Sequence, residues 1–176
     1  MSRQALLIID MQQGLFTIPR HDTDGLVSRI NELSARMRAK RSLVIFVQHC
    51  GPEGDQLHPL HPGHALHGDL ITDPNDTIIK KSYCDAFLKT NLASTLLKSK
   101  IEEVVITGTA TDFCVDTTIR SALANGYTTV VPEDGHTTAD RPYMPTQKVI
   151  EHHNFVWAHL ISPAGSVRLT RCDLIV

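Results

Sequence analysis

The sequence predicts an α/β protein of three layers: a mainly parallel six-stranded sheet, ordered 3-2-1-4-5-6, with helices on both faces. Three observations lead there. Short aliphatic runs such as "ALLII", "LVIFV" and "EVVIT" are apolar throughout, as strands buried on both faces are. Segments whose apolar residues recur at helical spacing separate them. Strand and helix alternate along the chain, which brings successive strands side by side and parallel.

"QALLIID", residues 4–10, reads as the first strand, ending in a carboxylate. From Asp24 to Lys40, the apolar positions Leu26, Val27, Ile30, Leu33 and Met37 mark a helix. "SLVIFVQ" (42–48) is the second strand, and 49–75 a long loop rich in Gly, Pro and His. Loops of that length in compact domains are usually functional. "DTIIKK" (76–81) is the third strand, "TNLASTLLKSK" (90–100) a helix and "EEVVITG" (102–108) the fourth strand. A helix from Asp112 to Ala124 closes at Asn125-Gly126. "YTTVVPE" (127–133) is the fifth strand, "RPYMPTQKVIEHHNF" a helix and "VWAHLIS" the sixth strand. Residues 164–176 have no assigned element in this reading.

The 176 residues fit one domain, 1–176, with a sizeable core. Net charge is −2, so no basic field argues for nucleic acid or an anionic membrane. No apolar run is long enough to span a bilayer, and "MSRQALLIID" lacks a signal-peptide pattern, so the expected location is cytoplasmic. Cys50, Cys84, Cys114 and Cys172 show no CxxC or disulfide-framework spacing and are read as free thiols.

Open parallel sheets bind ligands beyond the carboxyl ends of their strands, where strand order reverses. Asp10 closes the first strand, Lys81 the third, and Cys114 follows the fourth. In the order 3-2-1-4, strands 1 and 4 are neighbours, so Asp10 and Cys114 meet at the crevice. A thiolate is the attacking form of cysteine, and a helix N-terminus with a nearby ammonium is expected to lower the thiol pKa. A carboxylate accepts the thiol proton and can return it to a leaving amine. Singly, each residue has an ordinary reading: a turn cap, a solvated lysine, a small core residue.

These residues resemble the isochorismatase-like cysteine hydrolases, a family that includes nicotinamidases and N-carbamoylsarcosine amidase. "LLIIDMQQGLF" looks like the first-strand motif, with its aspartate at Asp10 and a pocket aromatic at Phe16. "KSYCDAF" is similar to the K-x-x-x-S-A-F segment, with Lys81 six residues before Phe87 and Asp85 in place of the serine. "GTATDFCVDTTIRSA" resembles the nucleophile motif, with the cysteine at Cys114; "DGHTTAD" and "IEHHNF" look like a subgroup of the family. The resemblance covers about residues 4–162. It implies a Rossmann-like fold, an Asp10–Lys81–Cys114 triad, a homo-oligomer and a small-molecule substrate. It also implies a cis Thr109–Ala110 bond, with the Ala110 and Cys114 N–H groups forming an oxyanion hole.

No D-x-H follows the second strand, where nicotinamidases hold a metal, so neither a metal nor an organic cofactor is expected. His58, His61, His64 and His67 recur every third residue, so that a polyproline-type segment would put them on one side as metal ligands or a rim on the pocket; the alternative is a solvated, irregular loop with some histidines bonding backbone. His49, ending the second strand, is the histidine expected to touch substrate. His136 is read as reaching the crevice or stabilising a turn, and His152, His153 and Asn154 as packing and capping groups. The expected activity is hydrolysis of a small amide or carbamoyl C–N bond through a thioester. The alternatives are a non-catalytic binding protein on the same fold, or a thiol redox protein in which Cys50 or Cys84 resolves an oxidised Cys114.

Overall fold

The computed structural model describes residues 3–175. The sheet runs β3-β2-β1-β4-β5-β7, formed by β1 (Gln4–Ile9), β2 (Leu43–His49), β3 (Thr77–Lys81), β4 (Glu103–Thr109), β5 (Thr128–Pro132) and β7 (Arg168–Thr170). A two-residue strand, β6 (His136–Thr137), pairs with the end of β4, and every pairing is parallel. The α/β class and the central order 3-2-1-4-5 are as the sequence predicts.

Both faces of the sheet are buried, which accounts for strands without polar alternation. Leu6 and Ile8 of β1, with Val44, Phe46 and Val105, pack under helix α1 (Thr23–Ala39) through Leu26, Val27, Ile30, Leu33 and Met37. Ala5, Leu7 and Ile9, with Ile45, Val47, Val104 and Ile106, face α2 (Leu92–Lys98), α3 (Asp116–Ala124) and α4 (Thr146–Ala158). No helix among the described residues is long and apolar enough to cross a membrane.

The sixth strand is not "VWAHLIS". That segment continues α4 to Ala158 and then leaves the helix, and the last strand comes from the tail, where Arg168–Thr170 pairs with β5. Helical spacing explains the outcome. Val149, His153 and Trp157 stand four apart on one face, and Trp157 is fully buried with its indole N–H donating to Asp116 Oδ1 at 2.8 Å. A strand at 156–162 would forfeit that anchor. The helix also begins at Thr146, five residues later than expected, after Asp140 Oδ1 has accepted from the Thr146 N–H.

Gly108 sets how closely β1 and β4 meet. Its φ is +117°, and a Cβ there would lie 2.1 Å from the Ile9 carbonyl oxygen, so only glycine lets β4 pass β1 at this point.

Candidate active site

The carboxyl ends of four strands, with the residues that follow two of them, meet at one crevice. His49 and Lys81 are paired in register at the ends of β2 and β3. Asp10 follows β1 with a left-handed φ of 49°, and Cys114 stands in a π-helical turn, Thr111–Val115, that runs directly into α3. The predicted helix from Asp112 therefore divides into this wide turn and a regular helix. The Ala110 carbonyl accepts from both Phe113 and Val115 at 3.0 and 3.2 Å, which shapes the turn.

Lys81 lies at the centre. Its buried ammonium donates to Asp10 Oδ2 at 2.6 Å, to Cys114 Sγ at 3.2 Å and to the Tyr83 carbonyl at 3.1 Å, and lies 3.4 Å from His49 Nδ1. Asp10 Oδ1 is buried with no hydrogen-bond partner, so one carboxylate oxygen is left unpartnered beside the thiol. The three predicted residues are thus gathered, with His49 beside them.

The electrostatics follow from one cation shared by two acids. Burial pushes the Asp10 carboxyl above its usual range, against the pull of Lys81. Burial and the Asp10 charge push the Cys114 thiol up, more than Lys81 lowers it. Burial alone would bring Lys81 down, but Asp10 and Cys114 together hold it above its ordinary value. The expectation of a depressed thiol pKa is therefore reversed in the resting site. Cys114 stands near the start of α3, yet desolvation outweighs the ammonium while Asp10 keeps its charge. Burial and then Lys81 lower the pKa of His49, leaving a neutral ring whose Nδ1 faces the ammonium.

Gln12, absent from the expectations, is what seats His49. Fully buried, it accepts from the His49 N–H at 2.8 Å and donates to the His49 and His64 carbonyls at 3.0 and 2.8 Å. Its signal lay in "LLIIDMQQGLF", two residues after the aspartate. Phe16 lies edge-on to His67 at 4.9 Å, with the Arg20 guanidinium over its ring at 5.6 Å.

The histidine loop makes turns. The Nδ1 atoms of His58 and His61 accept from the N–H two residues on at 3.3 and 3.0 Å, as asparagine does in an Asx-turn, and His67 does so more loosely at 3.5 Å. His64 instead points Nε2 at Cys50 Sγ, 3.5 Å away. Among the described residues, the one cluster with metal-ligand character is Asp10, His49 and Cys114, and Lys81 already places an ammonium among them. All four cysteines are free thiols. The Thr109–Ala110 bond is cis, and among the described residues no backbone carbonyl takes the Ala110 N–H.

Comparison with known proteins bears on the same residues. The chain is 33% identical over 146 residues to a streptothricin hydrolase of Streptomyces noursei, covering 81% of this chain and 57% of that protein. It thus spans little more than half the length of that relative. A crystal structure of an isochorismatase family protein superimposes with a TM-score of 0.87 at 30% identity, over 96% of this chain and 98% of the other. N-carbamoylsarcosine amidase from Thermoplasma acidophilum shares the fold at 20% identity and a TM-score of 0.78, over 98% of each chain. The isochorismatase domain model matches residues 4–162, the stretch that carries all four strand ends of the crevice, and the chain belongs to the isochorismatase family.

Proposed function

We propose that the protein is a cysteine-dependent hydrolase of a small amide or carbamoyl C–N bond, working through a thioester at Cys114. The observation that carries this reading is the single buried ammonium of Lys81 touching both the Asp10 carboxylate and the Cys114 sulfur. With one anion and one proton between two acids, passing the proton from Sγ to Asp10 leaves the net charge of the site unchanged. Lys81 faces the negative charge before and after the transfer.

The thiolate attacks the substrate carbonyl carbon, forming a C–S bond and an oxyanion directed at the Ala110 and Cys114 N–H groups. Collapse breaks the C–N bond, and Asp10 returns its proton to the departing nitrogen, which leaves as ammonia or an amine. Water then adds to the thioester, with Asp10 as base, and expels the Cys114 sulfur. His49, neutral with Nδ1 against Lys81, offers Nε2–H to a polar group of the substrate. The chemistry requires no metal or organic cofactor. The hydrolase name of the 33%-identical relative supports the reading.

The test is an ammonia-release screen over small amides, ureas and carbamoyl compounds, with Cys114→Ala as the control. The expected result is turnover of at least one compound that the variant loses. Turnover retained by Cys114→Ala would reject the thioester.

A further inference from the structure

His136, at the start of β6, is buried and has both ring nitrogens engaged. Nδ1 lies 2.9 Å from Thr111 Oγ1 and Nε2 lies 3.0 Å from Asn154 Oδ1. The Asn154 amide is itself oriented, because its Nδ2 donates to the Glu133 carbonyl at 3.3 Å. Its oxygen therefore faces His136. An amide oxygen only accepts, so Nε2 carries the imidazole proton and Nδ1 is left as an acceptor for the Thr111 hydroxyl.

The surroundings keep the ring neutral. Thr111 faces it from the nucleophile turn, while Asn154, His153 and the Trp157 ring, edge-on at 5.0 Å, face it from α4. Asp134 lies just before β6 and acts on it only weakly. Burial holds the pKa down to about 4, the Asn154 bond opposing and His153 adding to that effect. Thr111, fully buried, directly follows Ala110 and opens the turn that carries Cys114. The "DGHTTAD" and "IEHHNF" segments thus meet at one hydrogen bond behind the nucleophile.

We propose that Asn154, His136 and Thr111 form a positioning relay: Asn154 sets the tautomer of His136, and His136 holds the Ala110–Cys114 turn through the Thr111 hydroxyl. The inference rests on the thioester reading. His136 moves no proton in the reaction; it keeps the Ala110 and Cys114 N–H groups aimed at the developing oxyanion.

Two reagents separate that role from general integrity. Iodoacetamide alkylates a thiolate by displacement at a saturated carbon and forms no oxyanion. p-Nitrophenyl acetate acylates it through one: a C–S bond forms, the ester C–O bond breaks, and p-nitrophenolate leaves. Thr111→Val keeps the shape and removes the donor. Acylation of Cys114, followed by mass spectrometry, is expected to fall about tenfold with alkylation within about twofold, and Thr111→Ser to restore it. Imidazole NMR of the unmodified protein at pH 7 is expected to show His136 as the Nε2–H tautomer. Undiminished acylation in Thr111→Val, equal losses of acylation and alkylation, or an Nδ1–H tautomer would each overturn the relay. Alkylation without acylation at Cys114 of the unmodified protein would instead overturn the thioester reading, and the relay with it.

Discussion

Asp10 holds the Cys114 thiol in its protonated form and, in the proposed mechanism, is also the base that deprotonates it. These two effects can be separated at a single residue. Burial raises the thiol pKa, and the Asp10 charge raises it further; only Lys81 acts the other way. In Asp10→Asn the burial remains, but the competing anion is gone and the Lys81 ammonium, 3.2 Å from Sγ, faces the sulfur alone. The thiol pKa must then fall, so the thiolate fraction at pH 7 rises. Alkylation of Cys114 by iodoacetamide at pH 7 is expected to speed up about tenfold in Asp10→Asn, one unit of pKa being a tenfold change in thiolate. Ammonia release is expected to fall by at least about a hundredfold, since no group remains to take or return the proton. A variant slower in both measurements would show that Asp10 activates the resting thiol electrostatically, contrary to the charges in the site.

At the scale of elements, several side chains and backbone bonds tie the loop from Cys50 to Asn75 to the sheet and to α1, Gln12 among them. The Gln12 side chain, fully buried just after β1, bonds both backbone groups of His49 and the carbonyl of His64. Its loss takes the partner from the half-buried His49 N–H and carbonyl, while the His64 carbonyl keeps Gln48 Nε2 at 3.2 Å; each group left unsatisfied costs about 1–3 kcal/mol. Gln12→Ala is therefore expected to lower stability in urea by about 2–3 kcal/mol. Limited proteolysis should cut first within 50–75. First cuts elsewhere would show that the histidine turns hold the loop without Gln12. Element boundaries followed the same rule of local against distant partners. α1 was legible because its apolar stripe lies wholly within its own sequence. The end of α4 was not, because "VWAHLIS" reads as aliphatic and aromatic until Trp157 finds Asp116, forty-one residues away in sequence.

For the molecule as a whole, the sheet order makes the site. Asp10, His49 and Lys81 end or follow three adjacent strands, and Cys114 follows the next, so no two of them are sequence neighbours. The potential ligands Asp10, His49 and Cys114 gather about the ammonium of Lys81, which supplies a positive charge where a metal ion would. Once a substrate is in hand, turnover is expected to survive thorough treatment with EDTA. Activity lost to chelation and restored by zinc or manganese would mean that a metal, and not Lys81 alone, serves these groups.

The sequence by itself determined the α/β class, the order of the central strands and the meeting of Asp10, Lys81 and Cys114. Buried parallel strands are written as unbroken apolar runs, and strand ends are where such sheets open. It could not set the proton balance of the site. A motif shows that an ammonium and a carboxylate attend the thiol, but desolvation, which raises the pKa of both acids, is a property of the folded interior alone. Nor could it join His136 to Thr111 and Asn154, or place the last strand in the tail. Those partners are chosen by what packs against what once β4, β5 and α4 are together, and nothing in the spacing of any one segment records it.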